Sequence, residues 1–167
     1  GKTAFTLAKD IGVSKEAAQE FIDAYFAGYP SVRAYIDKTL EDARQTGVVR
    51  TMSGRRRLVP ELTSKNGQVR AAAERETVNM PIQGTAADVL KKAMIDVHAA
   101  LKDFNAGRPK PARMILTVHD ELLFEAPEEQ SAEAADLVRG VMERAYPLSV
   151  PLTVDVGIDR NWNDAKP

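Results

Sequence analysis

Residues 113–126 read "RMILTVHDELLFEA". An apolar run from Met114 to Val118 leads straight into His119, Asp120 and Glu121, then out through Leu122, Leu123 and Phe124. Two short apolar runs joined by a polar tip predict a β-hairpin. Met114, Leu116 and Val118 alternate with Ile115, Thr117 and His119, and at least one face is apolar enough to be buried. The tip has no glycine, the residue that most often eases such a turn. Hard divalent cations take carboxylate oxygens, and Mg²⁺ is commonly held by one or two carboxylates with substrate phosphates. A tight turn on a sheet restrains those oxygens more than a long loop does. Asp is also a common turn former, so a plain polar turn stands as the alternative reading.

Outward from the hairpin, the composition is that of a folded chain. The 167 residues are 44% hydrophobic and 28% charged, which excludes a disordered chain and fits one ordinary domain. No cysteine is present, so neither a disulfide nor a thiolate metal site can form, which suits a reducing cytoplasm. No apolar run approaches membrane-spanning length. The sequence starts with Gly1 and reads from the outset as the tail of a helix, so a piece of a longer protein is expected. The net charge of −1 argues against a nucleic-acid binder until its distribution is read. From Arg50 to Glu76 seven bases face three acids, and from Asp120 to Arg144 eight acids face two bases. The first region suits phosphates and the second cations, unless both are solvated helix faces.

The periodicity predicts α+β, with helices on one face of a small antiparallel sheet. Ser14 caps a helix whose stripe is Ala17, Ala18, Phe21, Ile22, Tyr25 and Phe26. A second helix runs over 31–46 with Val32, Tyr35, Ile36 and Leu40 inward, and Gly47 ends it. "VVRTMSGRRRLVP" reads as a hairpin turning at Ser53-Gly54. Pro81 divides the next helical stretch into 68–79 and 83–104. After the opening hairpin come a helix over 128–145 and a last strand, "VPLTVDVGI", at 150–158.

Three segments occur in order: "TMSGRRRLVP", "RAAAERETVNMPIQGTAADVLKKAM" and "MILTVHDELLFE". Together they resemble the C-terminal part of the A family of DNA polymerases, over essentially the whole chain through Asn161-Trp162. "NMPIQGTAAD" and "VHDE" are its most specific signatures. The resemblance implies a right-hand polymerase, with residues 1–47 the end of the fingers and 48–167 a portion of the palm carrying the His-Asp-Glu hairpin. It implies a DNA-templated DNA polymerase of replication and repair in the cytoplasm, transferring a deoxynucleoside triphosphate to a primer 3′-hydroxyl with two Mg²⁺ ions. Asp120 would bind the metals, Glu121 would be a less essential acid beside it, and His119 would lie against the primer end. Asn79 and Gln83 would reach minor-groove acceptors common to every base pair. Arg75, one helical turn earlier on the same face, and Arg70 would contact template phosphates. Arg55, Arg56 and Arg57 follow the tight turn and suggest backbone contacts, with Arg55 the named candidate. Phe5 would lie near the template.

The partners so implied are primer–template DNA, deoxynucleoside triphosphates and upstream parts of the same polymerase chain, with no membrane. The family's other catalytic aspartate and its nucleotide-gripping fingers helix lie upstream, so the segment alone is expected to be inactive. A non-catalytic nucleic-acid-binding module that has kept the palm fold is the alternative. The retained Asp120 and Glu121 count against it, because a pure binder gains nothing from acids facing phosphates. A single-subunit RNA polymerase typically has a small hydroxyl residue after His-Asp, so Glu121 favours the DNA enzyme.

Overall fold

The computed structural model describes residues 2–165. The chain folds as two compact units, one ending at Thr85 and the other beginning at Ala86. The class is α+β, and the antiparallel pairing is divided between two separate two-stranded sheets among the described residues.

The first unit begins with α1 (Ala4–Ile11) and α2 (Lys15–Gly28). The Ser14 hydroxyl accepts the Ala17 N–H at 3.1 Å, so α2 starts where the cap predicts. Helix α3 (Pro30–Thr46) opens on a proline, which loses nothing at a position whose N–H has no helical partner. Gly47 closes it by donating to the Ala43 carbonyl. The inward stripes of α2 and α3 are corrected by the structure. Ala18 and Ala43 are buried, but Phe21, Tyr25, Val32 and Tyr35 are exposed, Phe21 by 62%. An apolar stripe is buried only where another element packs closely on it, and these positions keep between 37% and 62% of their surface exposed.

Strands β1 (Val48–Arg50) and β2 (Arg56–Leu58) pair antiparallel, with Val49 opposite Arg57. Gly54 takes φ +85° in the turn, a backbone that a side chain would strain. Ala43, Val49, Val59, Leu62 and Ala73 form the core, with Leu40 and Met80 against it. The predicted break at Pro81 does not occur. Helix α4 is continuous from Gly67 to Phe104 with Pro81 inside it. Proline removes one N–H from the helix, and side chains supply compensating bonds nearby. The Tyr35 hydroxyl donates to the Val78 carbonyl at 3.2 Å, and the Thr85 hydroxyl donates to the carbonyl of Pro81 itself. Asn66 caps the start, accepting the Gln68 N–H at 2.9 Å.

In the second unit the later turns of α4 pack with α5 (Ser131–Glu143), β3 (Arg113–Val118) and β4 (Glu121–Glu125). Val97, Leu101, Ala112, Ala134 and Val138 are its buried core, and Met114 and Phe124 join from the hairpin. The connector between α4 and β3 is pinned by Asn105, whose amide donates to the Ala112 carbonyl (2.9 Å) and accepts the Ala112 N–H (2.8 Å). The simple alternation expected of β3 is interrupted. The register slips between Met114 and Leu116, leaving Ile115 as an extra residue, and Ile115 and Leu116 are about half exposed.

The last strand is also corrected, for 150–158 form no strand. Backbone pairing requires a neighbour, and β3 and β4 pair only with each other. The period of two survives in burial alone, with Leu152, Val154 and Val156 half-buried between exposed residues.

Candidate nucleic-acid interface and acidic hairpin tip

One exposed face of α4 builds the first site. Ala72, Arg75, Glu76, Asn79, Met80, Gln83 and Gly84 recur at helical spacing and, with Arg57 of β2, line a cavity of about 580 Å³. Arg75, Asn79 and Gln83 sit at intervals of four, so one helix presents a guanidinium and two amides in a row. Their side chains make no hydrogen bond or ion pair among the described residues, and all three are exposed. The row therefore offers unspent donors, and its amides offer acceptors too.

Two contacts hold β1–β2 against this helix. The Met52 N–H donates to the Thr85 hydroxyl at 3.0 Å. Gly84 passes so close to Thr51 that a Cβ there would lie 2.6 Å from the threonine methyl. That approach brings β2 beside α4 and sets Arg57 on the cavity. Arg57 is tied there to Glu76, Nη2 to Oε2 at 2.5 Å.

The other expected phosphate-contact residues are placed differently. Arg70 donates to the Ser64 carbonyl at 3.0 Å, bracing the loop before α4, and does not line the cavity. Arg55 is engaged in the turn through its backbone, its N–H donating to the Thr51 hydroxyl at 3.1 Å, and is not a lining residue. Phe5 is 70% exposed on α1 and also lies outside the cavity lining. Sequence reasoning did not single out Arg57 or Glu76. Glu76 could have been found from its spacing, three residues before Asn79 and seven before Gln83. Arg57 had no such signal, because its place depends on how the hairpin docks.

The hairpin tip belongs to the second unit. Val118 pairs with Glu121, so His119 and Asp120 are the two central residues of the turn. His119 takes φ +55°, and it alone among the described non-glycine residues has a positive φ. Positive φ at only the first central position is the type II′ pattern, whose twist matches that of paired strands. The turn closes without glycine by holding His119 at a backbone angle that side chains rarely adopt, which stores strain at the tip. His119, Asp120 and Glu121 are exposed, and their side chains have no partner among the described residues.

Two adjacent free carboxylates suit a Mg²⁺ ion whose remaining ligands are phosphate oxygens and water. They do not close a site alone, and no group of three or more His, Cys, Asp or Glu among the described residues could hold a metal. Two other acids of this region are paired with arginines. Glu133 receives both of its bonds from Arg108 at 2.9 Å, and Asp136 pairs with Arg139. Both acids lie on α5 and are largely exposed.

Comparison with known proteins places the chain. The family model described as DNA polymerase family A matches residues 1–164. The thermostable DNA polymerase I of Thermus filiformis is 49% identical over 99% of this chain, and DNA polymerase I of Pseudomonas aeruginosa is 46% identical over 99%. The chain spans about a fifth of each relative's length, 19% and 18%. A solved structure described as the POL domain of Pol1 from M. smegmatis in complex with DNA primer-template and dNTP superposes with a TM-score of 0.91 at 48% identity, over 99% of this chain and 28% of that one. On the match along its length and on the identity to these relatives, the chain belongs to DNA polymerase family A.

Proposed function

We propose that this chain is the end of the fingers (residues 1–47) and most of the palm (residues 48–167) of a DNA-templated DNA polymerase, acting in replication and repair in the cytoplasm. Its substrates are primer–template DNA and deoxynucleoside triphosphates. The observation that carries this reading is the row of unspent polar groups on α4. Arg75, Asn79 and Gln83 are exposed, unpaired and aligned on one cavity. Asn79 and Gln83 reach the minor-groove acceptors that all base pairs share, so any correct pair is held alike. Arg75 holds a template phosphate, which fixes register without reading sequence.

At the hairpin tip Asp120 supplies the principal metal-binding carboxylate and Glu121 a secondary one. The II′ turn fixes the direction of Asp120, and His119 packs against the primer end. A divalent cation bound to these carboxylates would supply charge neutralisation at the phosphates and acidify the primer hydroxyl. The protein's part is positioning and charge placement, which phosphoryl transfer chiefly requires.

Single-nucleotide incorporation by the full-length polymerase carrying Asp120→Asn tests the assignment. The amide keeps the shape and removes the charge, so incorporation should fall by several orders of magnitude while primer–template affinity stays near normal. Near-normal incorporation would take Asp120 out of the reaction.

A further inference from the structure

Glu76 is the one acid among the residues that line the α4 cavity, and it faces a surface suited to phosphate. A neighbouring acid of the same helix behaves differently. Glu74 pairs with Arg44 of α3 at 2.6 Å and does not line the cavity. Glu74 thus ties two helices together, whereas Glu76 binds only Arg57 among the described residues. Of the two arginines on the cavity, Arg75 is free and Arg57 is held.

We infer that Glu76 is an affinity-limiting counter-ion, occupying Arg57 in the free protein and giving it up to a DNA phosphate when primer–template binds. This rests on the reading of the cavity as the primer–template site. The exchange is easy because the pair is open to water, with the Arg57 and Glu76 side chains 50% and 58% exposed. Ion pairs that exposed are weak. A phosphate diester offers the guanidinium a two-point oxygen acceptor, as the carboxylate does. The ion pair broken in this exchange is a cost that the DNA contact must repay. That cost sets an upper limit on affinity, and a limit is useful to an enzyme that must step along its product. The arrangement requires no conformational change in the backbone, only a change of partner for one side chain.

The test is equilibrium binding of primer–template to the full-length polymerase across a salt series, with the variants E76Q, R57A, R57A/E76Q, E74Q and R75A. E76Q should raise affinity at low salt by about fivefold, the scale of one exposed ion pair. The slope of log affinity against log salt should steepen by up to about 0.9, the increment for one phosphate met by an arginine that carries no counter-ion beforehand. In the R57A background E76Q should give little or no gain, because Glu76 acts through Arg57. E74Q makes the same change of net charge off the cavity and should give no gain.

No rise in E76Q, an equal rise in E74Q, or a full rise retained in R57A/E76Q would each overturn the inference. R75A separates a wrong role for Glu76 from a wrong site. If R75A weakens binding while E76Q does not strengthen it, the cavity is the DNA site and only the role of Glu76 is wrong. If R75A binds like the parent, the cavity reading falls and the inference falls with it.

Discussion

Replacing Gly84 by alanine probes the contact that docks the arginine hairpin on α4. The new Cβ would sit 2.6 Å from the Thr51 methyl, and Met80 Cε lies behind it at 3.5 Å. Thr51 cannot simply rotate away. It is buried, and its hydroxyl accepts the Arg55 N–H at 3.1 Å, so a new rotamer would open the β1–β2 turn. Overpacking of this kind costs about 1–3 kcal/mol. Pushing the turn outward also strains the Met52 to Thr85 hydrogen bond, worth about 1 kcal/mol. Against this, alanine is better than glycine within a helix by about 1 kcal/mol. The net expectation is a loss of about 1–3 kcal/mol.

Thr51→Ser removes the methyl that clashes and keeps the hydroxyl. Alone it should cost about 1 kcal/mol for one buried methyl lost. Combined with Gly84→Ala it should restore stability to near that of the parent, because one methyl replaces the other in the same space. A double-mutant cycle in urea denaturation, followed by far-UV circular dichroism, should therefore show a favourable coupling of about 2–4 kcal/mol. A Gly84→Ala protein as stable as its parent, or losses that simply add in the double mutant, would refute the close approach as the source of the effect.

Asn79→Ala and Gln83→Ala should lower primer extension by a similar factor, about tenfold each, on four templates differing only at the primer-terminal pair. A penalty confined to one pair would mean sequence-specific readout. At the hairpin tip, His119→Gly should add about 0.5–1 kcal/mol of stability, read as a higher urea midpoint, since glycine takes φ +55° freely, and His119→Val should lower the midpoint. Equal midpoints in all three proteins would show that the turn stores no strain.

Local chemistry was readable from the chain alone. The Ser14 cap, the Gly47 stop and the Ser53-Gly54 turn each depend on a few neighbouring residues, and each was found in place. The hairpin at 113–126 was legible because two apolar runs flank a polar pair. The alignment of Arg75 with Asn79 follows from helical geometry and needed no fold, whereas Gln83 joins their row only because α4 runs on through Pro81.

What tertiary structure decided is where local rules conflict or fall silent. Pro81 has the local signature of a break, yet α4 runs through it with Tyr35 and Thr85 bonding to carbonyls beside it. Ile115 breaks the alternation of β3 because register belongs to a pair of strands, not to one. Residues 150–158 have a strand's pattern without a strand, since a ladder needs a partner. The choice of Arg57 over Arg55 for the cavity hangs on Gly84, which lacks the Cβ that would keep the hairpin away. Sequence determines which groups each segment can present, because that depends on periods and caps within one element. Only packing decides which of them meet, because that depends on how closely separate elements can approach.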